Sequence, residues 1–184
     1  MTIFYVVQHG EKAQHAGDPP LTATGRRQAH QTALWLHAIH PKAVFSSPMR
    51  RARETADIIA SVIGVKVNED ARLRERMNWT GEQPLEQFQA DWTTSVHHRD
   101  FVPQSGDSSH QAAQRFQTFL NDHTLDPGPI VICTHGGITV DLLRTLMGDA
   151  SVPIDLVENG VPSCAITTLD GHRVEDIASL QHLN

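Results

Sequence analysis

Two apolar runs without polar alternation constrain this chain more than any other feature. Residues 2–7 (Thr-Ile-Phe-Tyr-Val-Val) and 129–133 (Pro-Ile-Val-Ile-Cys) are continuous, rich in β-branched residues and short. A strand that is apolar on both faces must be covered on both faces, as in a parallel sheet flanked by helices. Both runs end alike, in Gln8-His9-Gly10 and in Thr134-His135-Gly136.

The segments between them carry the period of helices. Thr22 or Thr24 can cap a helix bearing Ala29, Ala33 and Leu36 and ending before Pro41. Ala43 to Ser46 reads as a second strand. Pro48 opens a helix striped by Met49, Ala52, Ala56, Ile59 and Ile63 and stopped by Gly64, and Val65 and Val67 alternate as a third strand would. Residues 74–106 read as a short helix plus a long loop that covers something, anchored by Phe88, Trp92 and Phe101. Gly106-Asp107-Ser108 starts a helix with Ala112, Phe116, Phe119 and Leu120 on one face. Another follows His135 with Ile138, Leu142, Leu143 and Leu146, and the tail reads as two strands around Asp170-Gly171. The expected fold is α/β: a three-layer α/β/α sandwich with a mainly parallel central sheet and helices on both faces. It forms one domain over residues 1–184.

Composition narrows the partners. Fifteen Lys and Arg against 21 Asp and Glu leave a net charge of −6, so no general attraction to nucleic acid or an anionic membrane is expected. No apolar run reaches the roughly 18 residues that span a bilayer. The N-terminus has neither a basic n-region nor a small-residue cleavage site, which points to a cytoplasmic protein. The two cysteines, Cys133 and Cys164, fall in apolar, strand-like contexts and cannot form a disulfide framework. Twelve histidines is a high count, although scattered histidines are ordinarily solvated.

In a parallel sheet, ligands bind beyond the carboxyl ends of the strands, where His9 and His135 both stand. Three readings of this pair are open. Each ring can be a satisfied structural residue. The two can be metal ligands, although no HxH or HExxH spacing supplies more. Or one imidazole can be a nucleophile facing an anion, with helix N-termini and arginines providing positive charge.

Six segments in order select the third reading. They are Val7-Gln8-His9-Gly10-Glu11; Pro20-Leu21-Thr22 with Gly25 and Gln28-Ala29; Ser46-Ser47-Pro48 running on to Thr55-Ala56; Leu73-Arg74-Glu75; Gly106-Asp107-Ser108; and Thr134-His135-Gly136-Gly137. Over nearly its whole length the chain resembles the histidine phosphatase superfamily, the phosphoglycerate-mutase-like proteins. The resemblance implies that His9 is a nucleophile that forms a phosphohistidine. The attack needs a neutral ring whose other nitrogen is held by a backbone carbonyl. It also implies that Arg51 clamps the phosphoryl oxygens, that His135 donates to the same group, and that Glu75 protonates the leaving oxygen and then activates water. Glu82, in Trp79-Thr80-Gly81-Glu82, is the second candidate for the acid. Arg50 and Arg53 are read as solvated helix residues, His97-His98 as a solvated loop and Cys133 as strand core.

One position departs from the family pattern. Gln8 stands where the resemblance expects an arginine, which removes a permanent charge and a bidentate fork from the phosphate site. Gln8 remains a phosphate-binding candidate through its amide, and Lys12 or His15 can return some charge. The implied function is a metal-independent phosphatase, with no cofactor, acting on a small phosphomonoester or a phosphohistidine. Two alternatives stand beside it. One is a non-catalytic or weakly active phospho-ligand binding relative, favoured by Gln8; the other is a phosphoglycerate-type mutase, disfavoured by the short chain. Residues 74–106, with Trp79, Phe88 and Trp92, are expected to form a lid or substrate-specificity segment.

Overall fold

The computed structural model describes residues 1–183. Six strands form one sheet: β1 (Ile3–Gln8), β2 (Ala43–Ser46), β3 (Val67–Glu69), β4 (Ile130–Thr134), β5 (Ile166–Asp170) and β6 (Arg173–Ser179). Their order is β3-β2-β4-β1-β5-β6. The first four neighbours run parallel, while β5 is antiparallel to β1 and β6 to β5. The expected mainly parallel sheet is therefore present, with an antiparallel hairpin at one edge.

Helices cover both faces. α1 (Ala23–His37) and α2 (Arg50–Ile63) lie on one face, where Ala33, Leu36, Ala56 and Ile59 pack against Val7, Val44 and Val131. α4 (Ser109–His123) and α5 (Gly136–Met147) lie on the other, with Phe116, Phe119, Ile138 and Leu142 against Phe4, Val6 and Ile132. All five residues of β4 are buried, as a central strand between two helical layers requires. Local chemistry starts the helices: Thr22 accepts from the Gly25 amide to cap α1, and Ser108 forms a capping box with Gln111 to begin α4.

Two expectations change. The short helix within 74–106 is a helix of 13 residues, α3 (Leu85–His97), and a further helix, α6 (Ile154–Asn159), precedes β5. Cys164 is buried but lies just before β5 rather than within it, at φ 59°. Among the described residues, no helix is long and apolar enough to cross a membrane.

Candidate active site

Strand register brings the two histidines together. Gln8 at the end of β1 is paired with Thr134 at the end of β4, so the residues that follow emerge side by side. The His9 and His135 rings lie 5.3 Å apart in an edge-to-face arrangement, and both are buried. The chain after His9 packs directly on the start of α1. A Cβ at Gly10 would stand 2.5 Å from the Gly25 carbonyl oxygen, so only glycine permits that approach. Cys164, held in the left-handed region, donates its amide to the carbonyl oxygens of Gln8 and His9 at 3.1 and 3.3 Å.

The hydrogen bonds around His9 fix its tautomer. Nδ1 lies 2.8 Å from the Gly10 carbonyl oxygen, which can only accept, so Nδ1 carries the proton and Nε2 the lone pair. Nε2 receives Arg51 Nε at 3.2 Å and the Gln8 amide nitrogen at 3.3 Å. Burial, with smaller contributions from the Arg51 and Lys12 charges, pushes the His9 pKa down to about 3, against the Gly10 hydrogen bond that raises it. The ring is neutral at physiological pH. Because the Gln8 amide must turn its NH2 toward that lone pair, its carbonyl oxygen is left buried without a partner.

Positive charge gathers on the same spot. Arg51, in the first turn of α2, is buried, and its Nη1 makes no hydrogen bond. Its Nη2 approaches Asn78 Oδ1 at 3.4 Å. His135 is tied through Nε2 to the Ser47 hydroxyl at 2.8 Å, while its Nδ1 is buried and unpartnered. Burial, reinforced by the Arg51 charge, holds His135 well below the usual histidine range, so it too is neutral. Lys12 is half-buried, and its pKa is lowered by burial and then by Arg51.

Glu75 is held in place by its backbone neighbours. Its carboxylate accepts the amides of Gly137 and Ile138 at 3.0 and 2.8 Å, at the start of α5, and that of Arg76 at 2.7 Å. A Cβ at Gly137 would lie 2.7 Å from Glu75 Oε1 and 2.8 Å from the Trp92 ring, so this glycine lets both approach α5. Arg115 secures the segment from α4: it donates to the carbonyl oxygens of Arg72, Arg74 and Glu75 at 2.6, 2.7 and 3.1 Å and is itself held by Asp107 at 2.8 Å. Arg76 pairs with the fully buried Asp141 of α5 at 2.6 Å and lies over the Trp92 ring at 4.5 Å.

A cleft of about 600 Å³ brings Gln8, His9, Lys12, Arg51 and Glu75 together with Trp79, Phe88 and Trp92, while His135, fully buried beside His9, is not among its lining residues. His15 also reaches the cleft. Glu82 does not: it is exposed and borders a neighbouring cleft with Arg74 and Asp107. Arg50 and Arg53 pair with surface carboxylates, His97 and His98 are exposed at the end of α3, and Cys133 is strand core. The expected open helix N-termini are not found. Glu75 occupies that of α5, and Asp18 accepts the Arg50 amide of α2 at 2.8 Å. The sequence reading also missed Ser47, although Ser46-Ser47-Pro48 marked the position. Among the described residues, no three His, Cys or carboxylate side chains are grouped to hold a metal ion.

Comparison with known proteins identifies the family. The chain is 29% identical to the glucosyl-3-phosphoglycerate phosphatase of Mycolicibacterium vanbaalenii, over 93% of this chain and 85% of that one. It is 30% identical to a protein of Yersinia enterocolitica named "Probable phosphoglycerate mutase GpmB", over 78% and 74% of the two chains. The structure of Bacillus stearothermophilus YhfR superposes with a TM-score of 0.77 at 25% identity, covering 100% of both chains. Residues 4–179 match the Histidine phosphatase superfamily (branch 1), and the chain belongs to that family.

Proposed function

We propose that this chain is a phosphatase that hydrolyses a small phosphomonoester through a phosphohistidine on His9. The observation that carries this reading is the lone pair of His9 Nε2, set by the Gly10 carbonyl in a buried cleft beside Arg51. In the first step Nε2 attacks phosphorus, the bond from phosphorus to the ester oxygen breaks, and that oxygen takes a proton from the Glu75 carboxyl. The ring keeps its Nδ1 proton on Gly10 throughout. In the second step Glu75 removes a proton from water, the water oxygen attacks phosphorus, and the P–N bond returns its electron pair to Nε2. Arg51 Nη1, His135 Nδ1 and Lys12 supply donors to the phosphoryl oxygens, and Gln8 places its amide beside the transferring group. The Glu75 role is favoured over Glu82 because only Glu75 lines the cleft that holds His9.

The second reading, a binding relative without turnover, rests on Gln8, which is neutral and has an unpartnered carbonyl oxygen. Phosphate release from a panel of phosphorylated metabolites, with wild type and His9→Ala side by side, separates the two. Release by wild type and none by His9→Ala supports the phosphatase; phosphate binding with no release by either supports the binding relative.

A further inference from the structure

We propose that the organic part of the phosphorylated ligand is uncharged and has a flat apolar face, which seats on an aromatic wall built by α3. This inference rests on the phosphatase reading and names its substrate class. α3 carries most of its large apolar side chains away from the core. Asp91, Ser95 and Val96 are its buried residues, whereas Leu85, Phe88 and Trp92, spaced three and four residues apart, line the cleft. Leu85 is 44% exposed and Phe88 and Trp92 are half-buried, so the stripe that would ordinarily face the core is turned toward open space. An apolar stripe left uncovered in a cleft marks a surface that a ligand covers.

The wall is fixed before any ligand arrives. Trp92 is held between the Arg76 guanidinium, 4.5 Å from its ring, and Gly137, where no side chain intervenes. Trp79 donates its indole N–H to the Gln83 carbonyl oxygen at 2.9 Å, and the Phe88 and Trp92 ring centroids lie 6.3 Å apart. Rigid aromatic surfaces bind flat groups with little loss of side-chain freedom.

Charge narrows the class further. Among the described residues, the only permanently cationic side chains lining the cleft are Arg51, which donates to His9 Nε2, and Lys12, whose charge acts on the same ring. In the proposed mechanism both serve the phosphoryl group, so a carboxylate or second phosphate on the leaving group would meet no permanent cation of its own. Of the other polar side chains in the lining, Gln14, Asn78, Gln89 and Asn159 are neutral amides suited to hydroxyl groups, and His15 adds an imidazole. A cleft of about 600 Å³ has room for an organic group much larger than the phosphate.

The test uses phosphonates, which bind without turnover, and the matching esters of primary alcohols. Calorimetry compares 2-phenylethylphosphonate, propylphosphonate and 3-phosphonopropanoate; phosphate release compares 2-phenylethyl phosphate, propyl phosphate and 3-phosphoglycerate. The phenylethyl compound should bind and turn over about tenfold better than either of the others. In Phe88→Ala, whose side chain is half-exposed, that preference should shrink about threefold or more while the thermal midpoint stays near wild type. Equal or better binding of the carboxylated compound, or a preference untouched in Phe88→Ala, overturns the proposal. Preferential phenylethylphosphonate binding without phosphate release from any ester upholds the wall and sinks the phosphatase reading instead.

Discussion

Replacing His9 with glutamine should change how folding stability depends on pH, by an amount set by the site itself. In the folded chain burial lowers the His9 pKa to about 3, whereas an unfolded imidazole titrates near 6.5. Below the unfolded value, the unfolded chain binds a proton that the folded chain refuses, so acid favours unfolding. The contribution is fully present above the unfolded pKa and falls by about 1.4 kcal/mol per pH unit as pH drops, until the folded pKa is reached. Between pH 7 and pH 5 the loss attributable to His9 sums to about 2 kcal/mol. Glutamine does not titrate. Urea unfolding followed by tryptophan fluorescence at pH 7, 6 and 5 should therefore show wild type losing about 2 kcal/mol relative to His9→Gln. Contributions from His135 and other shared groups cancel in that difference. Parallel curves for the two proteins would mean that the imidazole protonates freely in the fold, and the reasoning about its held lone pair would fail.

Three further outcomes follow from the site. Gln8→Arg adds a charged fork beside His9. Since charge-assisted hydrogen bonds exceed neutral ones by about 1 kcal/mol, inorganic phosphate should bind roughly five- to tenfold more tightly by calorimetry; unchanged binding would place Gln8 away from the phosphate. Glu75→Gln should slow an alkyl phosphate at least about tenfold more than p-nitrophenyl phosphate in steady-state assays, because only the poorer leaving group needs the proton. Equal losses, or a larger selective loss in Glu82→Gln, would move the acid role elsewhere. Activity should survive exhaustive chelation, since in the proposed mechanism Arg51 and Lys12 supply positive charge and the neutral His135 a donor; loss restored by one divalent ion would return His9 and His135 to the metal-ligand reading.

What the sequence made legible was mostly local or periodic. The two apolar runs and their His-Gly endings were enough to predict a parallel sheet with both histidines on one edge, and strand register aligned them. α3 was harder because its apolar stripe of Leu85, Phe88 and Trp92 faces a cleft while its covered side holds Asp91 and Ser95 beside Val96, which blurs the usual pattern. Its first turn also lacks a side-chain cap, so nothing announced where it begins. The anchoring of Glu75 depends on α5, 62 residues away, and the Arg115 clamp reaches back 40 residues. No spacing rule reaches that far. The helix N-termini illustrate the same limit: each invites an anion, and Glu75 and Asp18 fill that role from within the chain.

The central claim is a covalent bond between phosphorus and His9 Nε2, and trapping that bond tests it most directly. A substrate labelled in its phosphoryl group is mixed with the protein and quenched with base within the first turnover, and the label is then mapped to a peptide. The account predicts an acid-labile, base-stable adduct on the peptide containing His9, absent in His9→Ala and longer-lived in Glu75→Gln, where water activation is impaired. Label on Ser47, on Cys133 or on any carboxylate, or undiminished turnover by His9→Ala, would contradict it.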